Sequence, residues 1–380
     1  MRDPEQEEIA VVPGRDLPTE RIVVRSDLEN IQQRPWWQRV AFGLVGIFLF
    51  VTALGLMRKG AADLIPALEG SIFTDNAWST LGFGWLGACL VLSGSPVAAS
   101  ALTLFDGGVI DRTQAFTMLI GSRLGASFVV VVVGVVYALR DKGQGERRAP
   151  ISIGIMSFLM TATVYVPAAV IGYLLLQRGF FDRLDIGTSP HVASATDTLF
   201  GWSVDLLIKI VPGWSLFPIG VVVLVVGFNC FDRMLPRIGA DDLGRNEVKW
   251  TNRMWPMFLA GCAVTALTLS VSVSLTLLVP LVARGHVRRS HTLPYIAGAN
   301  ITTLIDTLVA AILLGNQDAV RVVVAVTAVV TVITLLVLVT SYPLLRRVLL
   351  KITREVLASH VRLAAFALVL LCIPLVMIAV

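Results

Sequence analysis

The sequence predicts an all-α polytopic membrane protein built from two inverted repeats. Each repeat holds a transmembrane helix, a re-entrant helical hairpin and a further transmembrane helix, and additional helices complete the chain. Three observations predict this. Of the 380 residues, 56% are hydrophobic and 15% charged, with a mean hydropathy of +0.78, whereas a soluble domain carries about 25% charge. The charges crowd into the first 39 residues and a few short loops, leaving apolar stretches that reach the roughly 20 residues a bilayer crossing needs. The stretch beginning at Ser93 also aligns without a gap to one beginning at Ser270.

The elements follow in order. Residues 1–39 are mixed in charge and contain proline, with no early apolar core, and are expected to form a cytoplasmic N-terminal tail rather than a cleavable signal. Residues 40–139 form the first repeat, 140–212 a connecting helix and amphipathic linker, 213–315 the second repeat, and 316–380 the C-terminal transmembrane helices. The apolar runs lie at 40–57, 81–105, 116–139, 151–176, 214–231, 257–283, 293–314, 322–345 and 363–380.

Lys and Arg set the sidedness. If every run crossed once from a cytoplasmic tail, the basic loop 140–148 would face outward. If 81–105 enters and leaves on the outside and 257–283 does so on the inside, most of the 31 Lys and Arg become cytoplasmic, as the positive-inside rule requires. The result is seven crossings and two hairpins, in the cell membrane. Re-entrant backbone is tolerated only inside protein or along a water-filled cavity, so two hairpins imply a central site. The net charge of +5 belongs to these loops, not to a nucleic-acid surface. The four cysteines, Cys89, Cys230, Cys262 and Cys372, lie in apolar runs with no Cys-x-x-Cys pair and are expected to be buried, inert thiols.

The repeat is read from residues in register. Ser93 meets Ser270, Ser95 meets Ser272, Leu104 meets Leu281, Gly108 meets Gly285 and Gly121 meets Gly298. Each copy runs Ser-x-Ser, apolar helix, glycine turn, short polar link, glycine-containing helix. On the topology above the copies run in opposite senses, an arrangement of secondary transporters that places the site near the midplane.

The hairpin tip Ser93-Gly94-Ser95-Pro96, the matching Ser270, Ser272 and Ser274, and the helices Gly121-Ser122-Arg123-Leu124-Gly125-Ala126-Ser127 and Gly298-Ala299-Asn300-Ile301-Thr302-Thr303 resemble the type II sodium–phosphate cotransporter family. Residues 43–64 resemble that family's opening helix. The likeness covers roughly 43–137 and 217–314 and is to a divergent, bacterial-type member without a PhoU-like tail. It implies sodium-coupled symport of inorganic phosphate by alternating access, with Na⁺ as the coupling ion and no cofactor. Membrane lipids are expected as further partners, and homo-oligomerisation is left open. The family's tip glutamine falls on Leu92 and Leu269, and the asparagine kept as Asn300 becomes Arg123 in the first repeat.

The candidate substrate-binding residues are Ser93, Ser95, Ser270, Ser272, Ser274 and Arg123. Ser95 is expected to cap a half-helix whose first residue is Pro96, and the free N–H groups and positive end of such a helix attract anions. The same hydroxyls also serve simply to pack helices. Arg123 lies in an apolar run, where charge costs about 3 kcal/mol by insertion scales, and needs a partner; Asp306 in the other repeat is the candidate. The pair is read either as structural or as one in which Arg123 binds the anion or stands in for an ion. By the resemblance, Asn300, Thr302, Thr303 and Ser127, with Asp306, are ion-binding positions. Asp106 and Asp111 are expected to be solvated at the outer hairpin end, and His286 and His291 in a basic loop. Arg346, Arg347, Lys351 and Arg354 are placed on an interfacial helix facing anionic lipid.

No P-loop, Gly-x-Ser-x-Gly element or zinc spacing occurs in the sequence, so the chain is not expected to be an enzyme and no metal site is assigned. Two other functions remain open: transport of another small anion, with proton coupling among the options, and a non-transporting membrane subunit.

Overall fold

A computed structural model describes residues 35–68, 75–140, 148–183, 200–234, 253–283, 287 and 289–380. Among these residues the chain is helical throughout, with no strand. Seven of the described helices are long and apolar enough to cross a membrane, at the seven places where the apolar runs predict crossings.

Helix α1 spans Trp36–Leu68. A helix pair follows, α2 at Ala77–Val91 and α3 at Gly94–Asp106, and then α4 at Arg112–Arg140 and α5 at Arg148–Gln177. After a short helix at 200–208, α6 spans Gly213–Met234. The second pair is α7 at Met254–Thr268 and α8 at Val271–Ala283. A helix broken at Thr303 comes next, α9 at Thr292–Thr302 and α10 at Leu304–Leu314. Helix α11 at Gln317–Leu336 passes through a π-helical turn, Val337–Ser341, into α12 at Tyr342–Leu357, and α13 spans His360–Ala379.

The bounds of the two pairs coincide. Adding 177 to Ala77–Val91 and Gly94–Asp106 gives Met254–Thr268 and Val271–Ala283. Each arm is 13 or 15 residues long, about 20 Å at 1.5 Å per residue and short of the ~30 Å hydrocarbon core. Each pair turns on a leucine in the left-handed region, Leu92 at φ 55° and Leu269 at φ 50°, the two non-glycine residues with positive φ among those described. Local chemistry fixes the start of α2: the Asn76 side chain accepts from the Trp78 and Ser79 N–H groups at 2.7 and 2.9 Å, and the Ser79 hydroxyl accepts from Asn76 N–H at 3.0 Å. That reciprocal cap satisfies donors a helix start otherwise leaves free.

The repeat extends to the packing. Gly121 brings α4 against the backbone of α2 at Leu81 and Trp85, and Gly298 brings α9 against α7 at Phe258 and Cys262, the equivalent residues. No side chain fits at either contact, because a Cβ would collide with a main-chain carbonyl. The leading helices α1 and α6 pack along each other. Gly43 faces Met234 at one end and Gly60 faces Leu216 and Phe217 at the other, so these helices run antiparallel. The second arm of each pair crosses to the other half: α3 packs on α10, and α8 packs on α4 and α5.

Candidate substrate and ion site

The site is built where the first pair's tip, α4 and the broken helix α9–α10 converge. At the first tip the helix starts two residues earlier than the sequence suggests. Ser93, with φ −159° and ψ 137°, is the N-cap residue, and its side chain makes no capping hydrogen bond. Ser95 is therefore a buried residue of the first helical turn rather than the cap. The left-handed Leu92 completes the reversal, so the chain enters α3 directly from Ser93. Gly94 rests on α4: a Cβ there would lie 2.8 Å from the Ser122 carbonyl and 2.9 Å from the Ala126 methyl. These two residues flank Arg123.

At the second tip Ser270 Oγ accepts from the Val273 N–H at 3.3 Å, and the Ser270 carbonyl accepts from the Thr268 hydroxyl at 3.1 Å. Ser272 is half-buried. Ser274 lies deeper. Its hydroxyl accepts from Thr265 Oγ1 at 2.7 Å and lies 2.9 Å from Tyr295 Oη, which joins both arms of the pair to α9. The equivalent positions in the first repeat, Ala88, Val97 and Met118, are buried and apolar.

Arg123 is 3% exposed and reaches from α4 to the break in the other half. Its guanidinium donates to Thr303 Oγ1 at 3.0 Å and Thr307 Oγ1 at 2.5 Å, and lies 3.5 Å from Asp306 Oδ1. Asp306 stands in the first turn of α10, where the positive end of a helix favours a carboxylate. Its Oδ1 also accepts from the Thr307 N–H at 2.5 Å and the Thr307 hydroxyl at 2.9 Å. Arg123 Nε and Asp306 Oδ2 are buried and have no hydrogen-bond partner among the described residues. The pair thus spans the two halves, and each member keeps one unspent polar atom.

Asn300 is held from outside the repeats. Its amide donates to Thr161 Oγ1 at 3.0 Å, and its carbonyl accepts from the Tyr165 hydroxyl at 2.7 Å, both residues being on α5. Thr302 donates back to the Gly298 carbonyl at 3.3 Å, a local bond that competes with regular helix, one residue before the break. Ser127 is buried and donates to the Leu124 carbonyl at 2.6 Å. The structure therefore gathers Arg123, Thr303 and Asp306 into one cluster, with Asn300 on the turn above. It ties Ser127 and Thr302 to their own helices. Thr161, Tyr165, Thr265, Tyr295 and Thr307 complete the polar lining but are absent from the residues singled out in the sequence. Thr307 was within reach, since it lies one helical turn after Thr303 and adjoins Asp306.

Residues 223–375 match the family model described as the Na+/Pi-cotransporter. Over that stretch, which is less than half of the chain, the sequence is similar to this family. The matched stretch begins within α6 and takes in the second helix pair, the broken helix with the residues that hold Arg123, then α11, α12 and most of α13. No curated protein and no solved structure matches the chain. Among the described residues, the seven helices long and apolar enough to cross a membrane fit an integral membrane protein.

Two expectations are corrected. Asp106 is not solvated. Its side chain is 5% exposed, 2.7 Å from Arg58 Nε of α1, and it accepts from Asn316 Nδ2 at 2.8 Å. A carboxylate at the end of an apolar arm is buried here because α1 and the start of α11 close over it. Asp111 is exposed, as expected, and also caps α4, accepting from the Gln114 N–H and the Thr113 hydroxyl at 2.8 and 2.6 Å. The cysteines are not uniformly buried: Cys89 and Cys230 are, Cys262 is half-buried, and Cys372 on the outer helix α13 is exposed. His286 and the loop 140–147 lie outside the described residues. His291 is half-buried, with Nδ1 3.3 Å from Ser290 Oγ.

Proposed function

We propose that this protein is a secondary active transporter that carries inorganic phosphate inward with Na⁺ by alternating access. The observation that carries the proposal is the relation between the halves. Two helix pairs of equal bounds follow leading helices that run antiparallel, and their second arms cross toward a buried polar cluster. Read in a bilayer, these are inverted repeats with two re-entrant hairpins, one entering from each side. The N-terminus and the basic loops then face the cytoplasm.

The chemistry follows from the parts. The tips place Ser93, Ser95, Ser270 and Ser272 at helix starts, where hydroxyls and free N–H groups accommodate phosphate oxygens. Oxygen donors at the broken helix, from Asn300 and Thr302, suit a hard alkali cation. Rocking one half against the other exposes the tips first to one side and then to the other. The Na⁺ gradient supplies the drive, because the anion and the cation bind together near the midplane.

The test is uptake into proteoliposomes of phosphate, sulfate and small carboxylates, with Na⁺ and H⁺ gradients imposed separately. Phosphate should accumulate under an inward Na⁺ gradient, and Ser95→Ala and Ser272→Ala should each lower its uptake about tenfold, the loss of one to two hydrogen bonds to an anion. Uptake of none of these anions under either gradient would overturn the transport reading, and uptake driven by H⁺ alone would overturn the Na⁺ coupling.

A further inference from the structure

The cluster around Arg123 divides by repeat. Among the described residues, every oxygen that holds the guanidinium comes from the second half: Thr303 Oγ1, Asp306 Oδ1 and Thr307 Oγ1. The equivalent residues of the first half, Ala126, Val129 and Val130, carry no polar side-chain atom and are buried. The first half supplies the cation alone, from the position that is Asn300 in the second. Two hydroxyls and one carboxylate converging at a helix break are a donor set for a hard cation. The carboxylate has a further buried oxygen, Oδ2, without a partner among the described residues.

We propose that Thr303, Asp306 and Thr307 form an alkali-cation site whose resident cation is the side chain of Arg123, and that a variant lacking this side chain takes up Na⁺ in its place. The cage carries one negative charge and the guanidinium one positive charge, so the wild-type site is neutral and full. The guanidinium cannot leave and does not deprotonate. If the chain transports as proposed above, a charge that a mobile ion would carry is fixed in the protein here, and the cycle uses one free cation fewer. The ion site itself does not depend on that reading, and its test needs no transport.

The test is thermal melting of purified full-length protein in detergent, in sodium chloride or choline chloride at a matched ionic strength of about 0.1 M so that screening is equal. The quantity read is the sodium-specific rise in Tm for each variant relative to wild type, which removes any contribution from other ion sites. Arg123→Ala should melt lower than wild type in choline and regain about 3 °C or more in sodium beyond the wild-type response. Arg123→Ala with Asp306→Asn should lose that added response. Arg123→Lys, which keeps a cation, should not acquire it. An Arg123→Ala protein with no added sodium response, or one that persists without Asp306, would overturn the proposal. If Arg123→Ala yields no folded protein in either salt, the double variant decides. Recovery of folded double variant supports a cage that demands a cation, and its failure to fold overturns the proposal. Absence of phosphate uptake by the wild type would count against the transport reading and leave this result intact.

Discussion

The two helix pairs share a backbone and differ in what they bury. Both turn on a left-handed leucine, both have arms of 15 and 13 residues, and both are clamped to the next helix by a glycine at equivalent positions. Inside this shared frame the first pair encloses Ala88, Val97 and Met118, and the second encloses the hydroxyls of Thr265, Ser274 and Tyr295. The helices that follow differ more sharply. Helix α4 is continuous and contributes one cation, whereas α9–α10 is broken and contributes the oxygens around it. The comparison teaches that backbone geometry maintains the repeat, while polar chemistry has been divided between its copies.

The largest expected effect comes from breaking that division. Asp306→Ala leaves Arg123 buried without its counter-charge, and removing one partner of a buried pair costs about 3–5 kcal/mol. The equivalent change in the first half, Val129→Ala, deletes only apolar volume and should cost about 2 kcal/mol or less. Denaturant unfolding in detergent compares the two. Equal losses would mean that the pair contributes only packing.

A second pair of variants tests the shared frame. Gly121→Val and Gly298→Val both push a side chain into a main-chain carbonyl of the neighbouring helix, and overpacking of that kind costs up to about 3 kcal/mol. The two losses should agree within about 1 kcal/mol, because the contacts are equivalent in the two halves. A large disparity in melting temperature would show that the halves are held together differently.

Much of the fold is legible in the sequence because a bilayer imposes one strong rule, that about 20 apolar residues make a crossing. The seven spanning helices lie at the apolar runs, and the helix pairs lie at the two runs whose serines and glycines recur. The turn itself is less legible. Ser95-Pro96 has the local chemistry of a helix start, but the left-handed conformation of Leu92 already reverses the chain, and a leucine gives no signal of positive φ. The burial of Asp106 is hidden for another reason. Its partners Arg58 and Asn316 come from distant parts of the chain, and an acid beside Gly107 and Gly108 has the local composition of a solvated turn. Thr161 and Tyr165 are equally hidden, as two polar residues in an apolar helix outside both repeats, where the Asn300 backbone they hold cannot be anticipated.

The smallest expected effect sharpens the comparison at the tips. A left-handed L-residue is strained by roughly 1–2 kcal/mol, and glycine relieves that strain while costing about 0.5–1 kcal/mol in chain entropy. Leu92→Gly and Leu269→Gly should therefore each stabilise the protein by about 0.5 kcal/mol. Leu90→Gly, inside the preceding helix, should destabilise it by about 1 kcal/mol. Melting curves of the three variants read the difference, and a loss at both tips would mean that the leucine side chains contribute more than the strain.

The central claim is that the two equivalent pairs enter the membrane from opposite sides. Single cysteines at Asp75, exposed just before the first pair, and at Arg253, exposed just before the second, test it in a cysteine-free background with a membrane-impermeant maleimide. In right-side-out vesicles the cysteine at 75 should label and that at 253 should not, and in inside-out vesicles the pattern should reverse. Labelling of both positions from the same side would contradict the inverted repeat and, with it, the alternating-access account.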